Sequence, residues 1–322
     1  MTKVIRWGII GCGAVTEVKS GPPYQQTPGF SLAGVMRRDL DKAKDFAARH
    51  GVPHYFADAE QLINDSAIDA IYIATPPDTH KLYGLMVAKA GKPCCIEKPL
   101  APSYEEGLAI VNAFKEKDIP LFVAYYRRSL PRFLQVEKWL KADAIGAVRH
   151  IQWSFSKSAN AIDLSGEYNW RTDAKVASGG YFDDLASHGL DLFAYLLGDF
   201  KTVYGVSTNQ QALYTAKDAI SSCWIHENGI TGQGSWNFGG FKREDRVEIL
   251  GSKGKISFSV FEENELVLEN GYGVQQLVIE NPKHVQQYHV ENLKAALIDG
   301  KKHPSTGDTA LHTNWIMHEI LK

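Results

Sequence analysis

Three short runs in this 322-residue sequence carry groups whose type and spacing can do chemistry. The first is Gly11-Cys12-Gly13-Ala14-Val15, directly after the apolar run Val4 to Ile10. Gly11 permits a tight turn. Gly13 lets the backbone approach a diphosphate, which then lies at the positive end of the helix that Ala14 and Val15 begin. That is the chemistry of dinucleotide binding. The third glycine of the pattern is Thr16 here, and Cys12 reads as a small residue in the turn, not a nucleophile.

The second run is Met36-Arg37-Arg38-Asp39, which ends the next apolar stretch. An acid at this point binds the 2′-hydroxyl of NAD, whereas arginine pairs with a 2′-phosphate in a fork and stacks on adenine. Arg37 and Arg38 favour NADP. Asp39 keeps NAD open, and a solvated charged turn is the plainer alternative. The third run places Asp184 and His188 four residues apart on one helix face. An imidazole can take or give a proton near neutral pH. The same spacing suits an ordinary helix hydrogen bond, or two metal ligands with Asp191 one turn further along. No other His or Cys cluster supports a metal, so none is expected. Asp183 points about 100° away and reads as a surface or capping residue.

The elements that must hold these groups follow from periodicity. Apolar runs at Val4 to Ile10, Phe30 to Met36, Ala70 to Ala74, Cys94 to Glu97 and Leu121 to Ala124 read as buried strands. Amphipathic helices at Asp41 to His50, Thr79 to Ala90 and Tyr104 to Lys117 lie between them. Strands alternating with helices predict right-handed crossovers and a parallel sheet over 1–125. Beyond this the pattern changes over 126–322. A helix from Pro131 to Lys141 leads to a strand at Val148 to Ser156, and a long helix runs from about Gly180 to Leu197. Strands follow at Thr202 to Ser207, Ala219 to His226, Thr231 to Phe238, Arg246 to Leu250, Lys255 to Ser259 and Leu266 to Leu268. Their short turns suit antiparallel neighbours. Two helices, Val285 to Asp299 and Asp308 to Leu321, close the chain. The fold class is α/β plus α+β: a parallel sheet, then a domain built on a mostly antiparallel, open-faced sheet.

Composition narrows the partners. With 35 Lys+Arg against 37 Asp+Glu the net charge is −2, which gives no footprint for nucleic acid and no polybasic membrane patch. The 4 cysteines include no Cys-x-x-Cys pair. No signal-peptide pattern and no apolar run of membrane-spanning length is present, so a cytoplasmic protein is expected. Gly-x-Ser-x-Gly is absent. Gly251-Ser252-Lys253-Gly254-Lys255 lacks the spacing of a phosphate loop and reads as a hairpin turn.

Further motifs join these runs in a fixed order. Ala74-Thr75-Pro76-Pro77-Asp78-Thr79-His80 ends one strand, and Glu97-Lys98-Pro99-Leu100 ends another. Trp170-Arg171 and the helix Gly179-Gly180-Tyr181-Phe182-Asp183-Asp184-Leu185-Ala186-Ser187-His188 follow. Together they resemble the Gfo/Idh/MocA oxidoreductase family over nearly the whole chain. The resemblance implies an N-terminal Rossmann domain, a substrate and oligomerisation domain, and hydride transfer between nicotinamide and a sugar-like hydroxyl or carbonyl. It implies a cofactor site built from the glycine loop, Arg37, Arg38, Thr75, Pro76, His80, Glu97, Lys98, Trp170 and Arg171. It assigns catalysis to Lys98, Asp184 and His188, and substrate contacts to Lys98, Tyr126, Arg127, Asp184 and His188. Position 126 is Tyr where the family usually has Asn.

The chemistry of these residues suits the assignment. Oxidising an alcohol needs a base for the hydroxyl proton, and reducing a ketone needs the reverse donor. His188 can do either, while Lys98 can donate a hydrogen bond to the reacting oxygen. The sequence does not decide which of the two moves the proton. The site is expected where the carboxyl ends of the parallel strands meet the helix of Asp184 and His188. A homodimer or homotetramer is expected through the open sheet. The alternatives are a non-catalytic NAD(P)-binding regulator and an NAD-dependent glycosidase on the same scaffold.

Overall fold

The computed structural model describes residues 4–322. The chain opens with β1 (Ile5–Ile10), α1 (Ala14–Val18), α2 (Gly21–Gln26), β2 (Phe30–Met36), α3 (Leu40–His50), β3 (His54–Phe56), α4 (Ala59–Asn64) and β4 (Ala70–Ile73). It continues with α5 (His80–Ala90), β5 (Cys94–Ile96), α6 (Tyr104–Lys115) and β6 (Leu121–Val123). These strands form one parallel sheet in the order β3-β2-β1-β4-β5-β6, the order of a Rossmann sheet.

The strands read as continuous apolar runs because both faces are covered. Alternate residues serve opposite sides. Ile10, Ile71, Ile73, Ile96 and Val123 pack with Leu62, Val87, Ile110 and Phe114. Ile9, Tyr72, Cys95 and Phe122 pack on the other side with Tyr24 and Phe46. The helix that leaves β2 starts cleanly, because the Asp39 carboxylate accepts from the Lys42 N–H at 3.1 Å.

The second part holds α7 (Pro131–Lys141), β7 (Val148–Ser156), α8 (Ala161–Ser165), α9 (Tyr181–Leu197), β8 (Phe200–Thr208), β9 (Ala219–His226) and β10 (Thr231–Asn237). Then come β11 (Glu244–Gly251), β12 (Gly254–Phe258), β13 (Leu266–Asn270), β14 (Gly273–Leu277), α10 (Gln287–Asp299) and α11 (Gly307–Leu321). The eight strands run in the order β14-β13-β12-β11-β7-β10-β9-β8. Neighbours are antiparallel except β7 with β10, which are parallel. The Gly251–Gly254 segment is the β11–β12 hairpin, as its spacing predicts.

One face of this sheet carries α9. Gly189 touches it so closely that a Cβ would fall 2.3 Å from the Trp153 ring. Trp153, Trp224 and Trp236 fill the buried face, while Tyr204, Val206, Cys223 and Ile225 stand exposed on the other. By compactness the chain divides into two units. The first runs to Ser129 and includes Pro282–Leu311, and the second is Leu130–Asn281 with His312–Lys322. The sequence reading does not anticipate this return of α10, whose Val290 and Leu293 join the core of the first unit. It also passes over the short β3, α2, α4, α8 and β14.

Candidate active site

The glycine loop is built by steric necessity. Gly11 adopts a φ of +93°, and a Cβ there would meet the Thr75 methyl at 2.7 Å and the Ala74 carbonyl at 3.0 Å. The turn therefore lies tight against the end of β4. A Cβ on Gly13 would instead meet only the Gly11 oxygen, at 3.9 Å. This open side lines a cavity of about 350 Å³ with Gly11, Cys12, Arg37, Arg38, Thr75 and Pro76. A nucleotide phosphate fits a bare backbone edge of this kind. The missing third glycine has a structural counterpart. The helix stops after α1, and Gly21 approaches the Thr16 carbonyl where a Cβ would fall 2.1 Å from the oxygen.

Lys42 and Tyr83 also line the cavity, and sequence reasoning missed both. Lys42 was discoverable, because it follows the Asp39 cap by three residues on α3. Arg37 reaches back to the Cys12 carbonyl with its Nη1 at 3.4 Å. The Asp39 carboxylate is engaged by the Lys42 amide and lies 3.2 Å from the Lys42 ammonium, which together hold its pKa low. Cys12 is buried, and that burial pushes its thiol up to about 11. It stays protonated, as a turn residue should. Ala14 is exposed and Val15 half-buried in the first turn of α1.

His80 and Glu97, both expected at the cofactor, are buried and hydrogen-bonded within the first unit. His80 is fully buried, with Nε2 2.9 Å from the Thr75 carbonyl and Nδ1 3.0 Å from the Pro99 carbonyl. The ring sits between the β4 and β5 loops; burial lowers its pKa, and a neutral imidazole donates to only one of these two carbonyls. Glu97 is also buried and accepts hydrogen bonds from the Tyr72 hydroxyl and from Gln286 Nε2. Its oxygens serve the core of the unit. Lys98 follows it, half-buried, before a cis bond to Pro99. Tyr126 is half-buried, with the buried Arg127 guanidinium 5.0 Å from its ring centroid.

In the second unit, α9 presents Asp184 and His188 one turn apart. Arg171 Nε donates to Asp184 Oδ2 at 2.7 Å, and its guanidinium stacks 4.3 Å from the Trp170 ring centroid. The sequence grouped these three residues at a site but did not predict the ion pair. His188 is buried, its ring edge-on to Phe261 at 5.9 Å. The start of α9 is anchored by Tyr181, whose hydroxyl donates to Asp163 at 2.6 Å and accepts from Asn160 and Asn169. This cluster also lies beyond the sequence reading. Asp183 takes the capping alternative and not the surface one. It caps the Gly179 N–H at 2.9 Å and is buried, and burial raises its carboxyl to about 7. Asp191 is fully buried and accepts from Thr313. Among the described residues no group of three His, Cys, Asp or Glu is placed to hold a metal ion, and no helix is long and apolar enough to cross a membrane.

Comparison with known proteins agrees with this architecture. An oxidoreductase family model with an NAD-binding Rossmann fold matches residues 5–125, and a GFO/IDH/MocA C-terminal domain model matches residues 133–257. The chain is 38% identical over 273 residues to Oxidoreductase P35 of Formosa agariphila, spanning 84% of each protein. It is 30% identical over 193 residues to levoglucosan dehydrogenase of Pseudarthrobacter phenanthrenivorans, spanning 60% of this chain and 46% of that one. The fold of a levoglucosan dehydrogenase solved in complex with NADH superposes with a TM-score of 0.90 at 22% identity, over 99% of this chain and 96% of that one. With models matched in both halves and a relative aligned across most of its length, the chain belongs to the Gfo/Idh/MocA family of oxidoreductases.

Proposed function

We propose that this protein transfers hydride between a nicotinamide cofactor, NADP in preference to NAD, and a sugar or polyol. The carrying observation is the cavity beside Gly13, whose lining has three cations, Arg37, Arg38 and Lys42, against one carboxylate. That carboxylate, Asp39, already caps α3, while the arginines are exposed at the rim. A 2′-phosphate suits such a rim better than a 2′-hydroxyl. The bound nicotinamide supplies the hydride acceptor or donor. Lys98 donates a hydrogen bond to the reacting oxygen and stabilises its negative charge. His188 is the second proton-handling group. Asp184, held by Arg171, orients substrate hydroxyls. The names of relatives support a sugar-like substrate, and the exposed sheet face supports a homodimer or homotetramer.

The test follows absorbance at 340 nm with NADP⁺ over a panel of sugars and polyols. The wild type is expected to reduce NADP⁺ with at least one of them. Lys98→Met and His188→Asn should each lower kcat by about 10²–10⁴-fold. The variant that also loses the pH dependence of kcat identifies the proton carrier. Sugar release without net NADPH formation would favour the glycosidase alternative. No turnover and no nucleotide binding would favour a binding protein.

A further inference from the structure

The segment that returns to the first unit touches the glycine-loop helix and the Lys98 strand end at once. His284 Nδ1 lies 2.6 Å from the Val18 carbonyl, at the last residue of α1. The Gln286 backbone N–H donates to the next carbonyl, that of Lys19, at 3.3 Å. The Gln286 side chain points the other way, and its Nε2 donates to Glu97 Oε1 at 2.7 Å. The second Glu97 oxygen accepts from the Lys98 N–H at 3.3 Å. One residue therefore holds the nucleotide helix with its main chain and the Lys98 turn with its side chain.

The bridge is stiff. Gln286 is 1% exposed, and Tyr72 holds the same Glu97 carboxylate from β4. Its amide has one permitted orientation, because a flip would set Oε1 against a carboxylate oxygen, acceptor against acceptor. That orientation leaves Oε1 buried with no hydrogen-bond partner. A buried acceptor left in this state calls for an explanation. Here it follows from the bridge to Glu97.

We propose that Gln286 is a positioning residue that couples nucleotide binding at the glycine loop to the placement of Lys98. The proposal rests on the reading of the loop as the nucleotide site and of Lys98 as the group at the reacting oxygen. A backbone shift on binding moves the Lys19 carbonyl. The shift passes through Gln286 to Glu97 and so to the Lys98 peptide.

The test uses the full chain and 2′-phospho-ADP-ribose, which lacks the nicotinamide and so cannot cover Lys98 with the ring. Acylation of Lys98 by acetic anhydride is read by mass spectrometry, with and without the probe. In the wild type the probe is expected to change the Lys98 labelling rate about fivefold. In Gln286→Met, which keeps the volume and loses the amide, the two rates should be equal. Gln286→Glu should keep the coupling at pH 5.5, where a proton shared with Glu97 preserves the bridge, and lose it at pH 8.5. A purely structural role would not give that pH dependence. A wild type that binds the probe with unchanged Lys98 labelling overturns the proposal and leaves the nucleotide site standing, as does an unaltered response in Gln286→Met. If Gln286→Met does not fold, equal coupling at both pH values in Gln286→Glu overturns it. A wild type that does not bind the probe is tested with ADP-ribose in its place, and one that binds neither NADPH nor NADH removes the nucleotide site, and the proposal with it.

Discussion

Asp39 stands where a ribose hydroxyl would ask for an acid, yet its carboxylate is committed to the first turn of α3. The neighbouring guanidiniums are exposed beside the cavity. Replacing Arg37 and Arg38 together by Ala should weaken NADPH binding by about 10–100-fold, the equivalent of one or two charge-assisted hydrogen bonds. NADH binding should change little. Equal losses for both nucleotides, by calorimetry, would show that the pair does not read the phosphate. A second residue-scale prediction concerns Asp183, whose burial raises its carboxyl from 3.8 to about 7. Between those values the folded chain holds a proton that the unfolded chain has released. The stability contributed by protonated Asp183 therefore falls as pH rises from about 4 to 7 and levels off above. Asp183→Asn should flatten this slope. The stability difference between variant and wild type should shift by on the order of 3 kcal/mol in the variant's favour from pH 4 to pH 8. Urea melts at both pH values check it, and parallel pH profiles would contradict it.

At the scale of elements, the β1–α1 turn separates two roles of glycine. Gly11→Ala must strain a positive φ and displace Thr75 and Ala74, so it should destabilise the fold by about 1–3 kcal/mol. Gly13→Ala meets open space, so it should fold with an unchanged Tm and bind NADPH more weakly. A large fall in Tm for Gly13→Ala would mean that its bare edge serves packing instead. The elements around this turn were legible because parallel strands buried on both faces leave an apolar run that needs no knowledge of its partner. The β7–β10 pair was not legible. β10 reads Thr-Gly-Gln-Gly-Ser-Trp-Asn, and its direction relative to β7 depends on a contact about 80 residues away. Gly232 and Gly234 make sense only in the folded sheet, where Trp224 and Trp236 occupy the space of their missing side chains. The Gln286 bridge was hidden for the same reason, since 189 residues separate it from Glu97. Lys98 and His188 could be named from motifs, whereas Tyr181 and its three partners could not. Nothing local marks a tyrosine as a hub.

For the whole molecule, the proposed homo-oligomer turns on the exposed sheet face. Tyr204 and Val206 on β8 are 68% and 72% exposed, and Ile225 on β9 stands beside them at 42%. We propose that this apolar end of the sheet face belongs to an association surface. Light scattering should find two or four times the chain mass of 35.8 kDa. Ile225→Arg with Val206→Glu should give the monomer without changing the far-ultraviolet circular dichroism. A wild type of monomer mass at micromolar concentration would remove the interface.

The central claim, a nucleotide site that selects the 2′-phosphate, is tested most directly by titrating the purified protein with NADPH and NADH in parallel, following nicotinamide fluorescence. Binding of both, with NADPH tighter by at least about tenfold, is the predicted result. Tighter binding of NADH would contradict the role given to Arg37 and Arg38, and binding of neither by the folded protein would contradict the nucleotide site itself.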